Sequence, residues 1–477
     1  MKKKQMLAAV LIAVCCVFFS PARSATVDPV VYWNGVAEAA FARAVAAGRP
    51  GQIGGLDFAM VHIAVHDAVQ AFEKRFQPYH VPAIPRPSGG SPAAAVAKAA
   101  HDVLVNLYPT QATLPLPALG LDATYERFLA ANSLMATDPG VFVGQQAALD
   151  IINQRALDGR FPPLDPRPCG PGVGVNCIFR GGTGPGEWRP TESFNLPPGA
   201  VPPTPPGPPP SNAPMAVVWL ASVTPFTLTS PQQFRPDPPP SLTSREYTRN
   251  FDEVKALGSL TGSSRTPEQT DLAYFYADNF VLLWNRALNR IAADHTHTTG
   301  DTARFFALVY LAAGDAGITA WDSKKFFNFW RPLTAVREAA GDGNPQTAAD
   351  ANWKPLINTP NYPDYTSGAN NLTGSVTRML RLFFRTDRMT FTINSNYPLA
   401  QVNTRSYTRF SDAAKDVVNV RIYQGIHFRF ADAVARRQGS QVANWAFKHF
   451  LRPIHDDNDD DDNDDDGRNE DHDNGDR

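Results

Sequence analysis

The chain has 477 residues, 43% of them hydrophobic, and a formal net charge of −2. That length fits two or three domains or one large helical one, with ample apolar material for a packed core. The near-neutral balance hides a split: residues 456–477 hold thirteen acids and two arginines, so the rest of the chain is basic. No nucleic-acid partner is expected.

The start, "MKKKQMLAAVLIAVCCVFFSPARSATVDP", joins three lysines, an apolar run from Met6 to Phe19 and small residues at Ala22 and Ser24. It reads as a signal peptide over residues 1–24, which predicts a secreted or periplasmic protein. No later run is long and charge-free enough to span a membrane, the best being interrupted by Asp315. Residues 25–160 form an N-terminal helical part. In "GGLDFAMVHIAVHDAVQAFEKRF", Met60, Ile63, Ala64, Asp67 and Ala68 share one helical face. His62 and His66 stand at i and i+4, a metal-compatible spacing with no acidic third ligand nearby, so packing is the expected role.

Residues 161–243 are dense in proline and glycine and cannot be regular helix or central strand. They read as a covering arm pinned by a local disulfide between Cys169 and Cys177. Helical patterning returns over residues 244–455, a catalytic bundle, with one strand-like piece, "MTFTIN". The fold class is all-α. The tail, residues 456–477, cannot bury a core and reads as disordered.

Three stretches in the C-terminal part carry chemistry. In "WDSKKFFNFWRPLTAVRE", Lys324 and Arg331 are two helical turns apart and share a face, with Pro332 able to turn the chain. In "PDYTSGANNLTG", Ser367 and Gly368 open a helix whose first N–H groups could hold an oxyanion, or which is simply capped. In "VRIYQGIHFRF", with Gly425 between them, Arg421 and His427 converge only through a bend or a shared pocket edge. Two arginines, one lysine and an amide nest would balance a phosphate-like trianion.

The order of Lys324, Arg331 and Pro332, then Ser367 and Gly368, then Arg421, Gly425 and His427 resembles the tripartite signature of the vanadium-dependent haloperoxidase and type 2 phosphatidic acid phosphatase (PAP2) superfamily. The flanks "DAGITAW" and "GIHFRF" are similar to its soluble bacterial haloperoxidase-like branch. The resemblance implies a helix-bundle fold around vanadate or phosphate held by Lys324, Arg331, Ser367, Gly368 and Arg421. His427 would be the axial vanadium ligand, or the nucleophile of an acid phosphatase needing no cofactor. Trp321, Tyr362 and Asn370 would line or support the site. The partners implied are hydrogen peroxide and a halide, or a phosphate ester; the oligomeric state is left open. Two positions depart from the pattern. Ala369 stands where the family has its acid histidine, and Val420 where it has serine. His295 or His297 is a candidate substitute acid. A degenerate homologue that only binds an oxyanion is the third possibility.

Overall fold

The computed structural model describes residues 27–80, 87–114, 120–192 and 213–454. The segment expected to be a signal peptide, the acidic tail and the densest proline run fall outside these residues. Thirteen α-helices are present among the described residues: α1 Pro29–Ala46, α2 Gly54–Glu73, α3 Pro92–Leu107, α4 Leu121–Ala131, α5 Pro139–Gln154, α6 Arg245–Gly258, α7 Pro267–Phe275, α8 Phe280–His295, α9 Thr299–Phe327, α10 Pro332–Glu338, α11 Gly368–Phe384, α12 Phe410–Tyr423 and α13 Arg429–His449. The all-α expectation holds. "MTFTIN" lies in strand β1, Arg388–Asn394, which pairs antiparallel with β2, Thr404–Arg409. The sequence reading missed β2, because "TRSYTR" puts only Tyr407 inward and its other residues read as polar loop.

Helix starts follow their local chemistry. Asp28, Ser91, Asp138 and Ser244 each accept a backbone N–H at an N-terminus. Thr266 and Gln269 form a reciprocal capping box at α7. Helices α2, α3 and α5 pack as one group, and α9, α11 and α13 as another. Helix α9 joins them, lying against α2 on one side and α11 and α13 on the other. Among the described residues α9 alone is long and apolar enough to cross a membrane, contrary to the sequence reading, but nearly all of it is buried inside the protein. Helix α2 is likewise buried along most of its length rather than on one face.

His62 and His66 are core residues, as expected. His62 Nε2 lies 2.9 Å from Asn34 Oδ1, and its ring stacks among Phe58, Phe306 and Tyr310. His66 Nε2 meets the Gln77 carbonyl at 3.1 Å. Burial holds their pKa values down to about 3 and about 4, so both are neutral. No cluster of metal-ligating residues occurs among the described residues.

Cys169 and Cys177 are bridged. The downstream part of the Pro-rich segment is anchored on α9 by the Arg235–Asp322 ion pair, by Trp321 Nε1 donating to the Ala216 carbonyl, and by one buried carboxylate that gathers several backbone donors. The fully buried Asp315 accepts from the backbone N–H groups of Phe226 at 2.6 Å, Thr227 at 2.7 Å and Leu228 at 3.2 Å, and from the Thr227 hydroxyl at 2.6 Å. Asp315→Ala strands these donors, at about 1–3 kcal/mol for each buried group left unpaired. A stability loss of roughly 3–5 kcal/mol is expected in urea denaturation, with faster proteolysis in residues 213–242. A variant within about 1 kcal/mol of wild type would mean the segment is held elsewhere.

Candidate active site

The two parts of the first motif are not on one helix. Lys324 sits in the last turn of α9, which ends where Asn328 adopts a left-handed φ of 50°. The chain then runs extended to Arg331, the residue preceding α10, with Pro332 fixing the new direction. Lys324 and Arg331 therefore converge through the left-handed turn at Asn328, not through a shared face. The third motif bends similarly. Helix α12 ends at Tyr423, and Gly425 takes φ +75°, where an added Cβ would lie 2.4 Å from the Gly258 carbonyl oxygen. No larger residue fits there. His427 follows, just before α13.

The second motif is placed by a close helix crossing. Gly374 on α11 and Gly439 on α13 leave room for backbone of the opposite helix, at 2.3 Å and 2.1 Å from any added Cβ. That contact brings the start of α11 beside the start of α13, where the Ser367 N–H donates to the Ala431 carbonyl at 3.3 Å. Gln438 ties the same region to its surroundings: its Oε1 accepts from Thr366 Oγ1 and Asn371 Nδ2, and its Nε2 donates to Ser323 Oγ. Ser367 stands at the N-cap of α11 yet makes no side-chain cap bond. The simple capped-helix alternative fails, and the N–H groups of the first turn are left for another acceptor.

Lys324, Arg331, Ser367, Arg421 and His427 are all buried and come together. The Lys324 ammonium donates to the carbonyls of Pro363 at 2.7 Å and Asp364 at 3.0 Å. Arg331 donates from Nε to the Tyr362 carbonyl at 2.8 Å and from Nη1 to the Ile426 carbonyl at 2.6 Å. Its Nη1 also lies 3.0 Å from His427 Nε2. A guanidinium can only donate, so Nε2 is the acceptor and the imidazole proton resides on Nδ1. Nδ1 lies 2.7 Å from Asp364 Oδ1, and that oxygen is 3.5 Å from Arg331 Nη1. Arg421 donates to Gln424 Oε1 at 2.7 Å.

Two buried guanidinium donors remain without partners, Arg331 Nη2 and Arg421 Nε; His427 Nδ1 and both Asp364 carboxyl oxygens are also unpaired, their 2.7 Å contact not being aligned as a hydrogen bond. Orphaned guanidinium donors in a protein interior require an acceptor. An oxyanion such as vanadate or phosphate meets that need, so the residues present fit the group. The aromatic wall also fits. The Tyr362 ring is 5.0 Å from the Lys324 ammonium and 4.9 Å from the Arg331 guanidinium, and Trp321 packs 5.0 Å from Tyr362. Gly368 lets Trp321 approach: a Cβ there would meet its ring at 3.0 Å. Asn370 does not face solvent but donates to Asp432 Oδ1 at 2.8 Å.

Burial dominates the electrostatics. It holds the Lys324 ammonium well below its usual range, helped by Arg331 and opposed by Asp364. It lowers His427 well below its ordinary value, with Arg331, Lys324 and Arg421 adding repulsion. The imidazole is therefore neutral, with its Nε2 lone pair facing Arg331 Nη1. Asp364 is pushed up to about 7 by burial, against the pull of Arg331 and Lys324.

Asp364 and Asp432 were absent from the sequence-derived site. Asp364 was visible in "PDYTSG", but nothing local said that it would lie under an imidazole 63 positions onward. Asp432 looked like an ordinary acid in a first helical turn. His295 and His297 are corrected. Both are exposed, and His295 packs on Phe384, the last residue of α11. Seventeen residues of helix, about 25 Å, separate that end from Ser367, so His295 cannot act at the site.

The sequence pattern of the VCPO second helical-bundle domain matches residues 304–456, the part that contains every motif above. Over these residues the chain is similar to the vanadium-dependent haloperoxidases. It is 29% identical over 377 residues to the vanadium chloroperoxidase of Curvularia inaequalis, a match covering 68% of this chain and 60% of that protein. The matched region thus spans less than two thirds of the curated relative's length. The crystal structure of the first bacterial vanadium-dependent iodoperoxidase superposes with a TM-score of 0.69 at 21% identity, over 90% of this chain and 98% of that one. A holo-type bacterial vanadium-dependent chloroperoxidase gives 0.66 at 20% identity, over 85% and 93%. These two superpositions establish the fold.

Proposed function

We propose that this protein is a vanadium-dependent haloperoxidase-like enzyme, exported through its N-terminal segment, that oxidises halide with hydrogen peroxide. One observation carries the reading: two unpartnered guanidinium donors, Arg331 Nη2 and Arg421 Nε, share a buried cluster with Lys324 and a neutral His427. Vanadate, when bound, supplies a Lewis acid that activates peroxide. The chain's own contribution is to hold the oxyanion. Lys324, Arg331 and Arg421 would neutralise its oxygens, while Ser367 and the Gly368 N–H add hydrogen bonds. His427 Nε2 would face the central atom, with Asp364 orienting the ring from the other side. Trp321 and Tyr362 shelter the cations from water, which strengthens every charge-assisted bond among them.

The His427–Asp364 pair also suits a histidine nucleophile, so phosphate-ester hydrolysis is the second reading. One experiment separates them. Purified protein is assayed with peroxide and bromide, with and without orthovanadate, and separately with an aryl phosphate. Bromination that requires orthovanadate is expected. Phosphate release inhibited by orthovanadate, without bromination, would replace the first reading with the second. Tight orthovanadate binding with neither activity would leave an oxyanion-binding homologue.

A further inference from the structure

Ala369 leaves the start of α11 without a proton donor, and the oxyanion chemistry above makes no use of Asp432. That residue is fully buried in the first turn of α13. Its Oδ1 accepts from Asn370 Nδ2 at 2.8 Å, and the Ser367 hydroxyl interacts with the same carboxyl. Its Oδ2 is buried without a partner that satisfies it. Asn370 Nδ2 also reaches Ser367 Oγ at 3.4 Å, so the three side chains form one small network. Charged groups face it from each neighbouring element: Arg421 on α12, Lys324 on α9, Arg331 before α10, Asp364 before α11 and Arg429 on α13 itself. Burial raises the Asp432 carboxyl well above the usual range, with Asp364 adding to the effect and Ser367, Arg421 and Asn370 opposing it.

Counting hydrogens decides what the pair can do. A serine hydroxyl has one hydrogen and two lone pairs. With Asp432 ionised, the carboxylate takes that hydrogen, and Ser367 turns lone pairs toward an anion among the cations. With Asp432 protonated, its O–H donates to Ser367 Oγ, and the serine hydrogen is free for the anion. We infer that Asp432 is the proton-bearing residue of this site, turning Ser367 into a donor and passing a proton through it in the role left open at position 369. In that step the Ser367 O–H bond breaks as its hydrogen moves to an oxyanion oxygen. The Asp432 O–H bond breaks as its proton replaces it on Oγ, leaving a carboxylate that solvent reprotonates. No electrons are gained or lost. The inference rests on the oxyanion reading of the site but not on halide oxidation.

The test measures sulfate affinity of the full chain by calorimetry across pH, since sulfate keeps its charge over the working range. One linked proton changes affinity by roughly tenfold per pH unit. Wild-type affinity should therefore fall more steeply with rising pH than that of Asp432→Asn, by about that factor. The asparagine amide still donates to Ser367 but cannot ionise, and Asp364 and His427 titrate in both proteins. Ser367→Ala, which loses the hydroxyl switch and keeps only the charge effect of Asp432, should show a slope shallower than wild type, and an unchanged slope overturns the inference if Asp432→Asn does not fold. In whichever activity the wild type shows, Asp432→Asn should lower kcat about 10–100-fold with little change in KM. Adding Ala369→His to that variant should restore kcat. Equal pH slopes in wild type and variants, or no restoration by histidine, would overturn the inference alone. No sulfate binding by wild type would overturn the oxyanion reading as well.

Discussion

An Arg331→Ala variant is expected to bind orthovanadate or sulfate about 10²–10³-fold more weakly, the loss typical of removing one preorganised anion donor from a dry site. It should also be less stable by roughly 3–5 kcal/mol, because breaking a buried ion pair leaves an uncompensated charge. Arg331 is fully buried, and its side chain holds the Tyr362 and Ile426 carbonyls, the His427 imidazole and the Asp364 carboxylate together. The guanidinium does two jobs at once. Its Nη1 hydrogen caps the His427 lone pair, and its unpaired Nη2 would reach a bound anion. Arg331→Lys separates these roles, since it keeps the charge and loses the planar fork. It should recover part of the stability and little of the affinity. Calorimetry for binding and urea denaturation for stability check both. Affinity within about threefold of wild type in Arg331→Ala would show that this guanidinium does not face the anion.

How far the sequence could be read depended on whether the information was local. The helix start at Ser244 was legible, because a cap and its first turn are a few residues apart. Convergence of the three motifs was legible only as a requirement. Gly425 and Pro332 marked places where the chain could bend, but periodicity treated Lys324 and Arg331 as one helix. The left-handed turn at Asn328, which ends α9, has no such signal, since asparagine is common in many settings. The buried carboxylates were hardest. Their meaning lies in tertiary partners: Asp364 under His427, Asp432 beside Ser367 and Asn370, and Asp315 beneath a backbone loop 87 positions away. A buried acid is recognised by what surrounds it, and a single sequence does not state its surroundings.

Asp364→Asn is the change expected to reduce turnover most with the site otherwise intact, by about 10²–10⁴-fold, the range for losing the carboxylate that orients a catalytic imidazole. The carboxylate lies 2.7 Å from Nδ1 and would favour the tautomer with its proton there, which keeps the Nε2 lone pair for an acceptor role. An asparagine can present its amide hydrogens to Nδ1 instead and stabilise the opposite tautomer, with the proton on Nε2, where no ligand or phosphorus can be met. Sulfate affinity should change far less than turnover, because the three cations remain. Stability gives an independent check of opposite character. The folded value of Asp364, about 7, lies above its ordinary value of 3.8. This carboxyl's contribution to stability is thus fully present below about pH 4 and is lost as pH rises through 7. Asp364→Asn has no such loss, so its stability relative to wild type should improve from pH 4 to pH 7, by on the order of 4 kcal/mol. Urea midpoints at the two pH values test the sign. A variant that is inactive and also loses ground to wild type as pH rises would show that Asp364 serves the folded core as an anion rather than orienting His427.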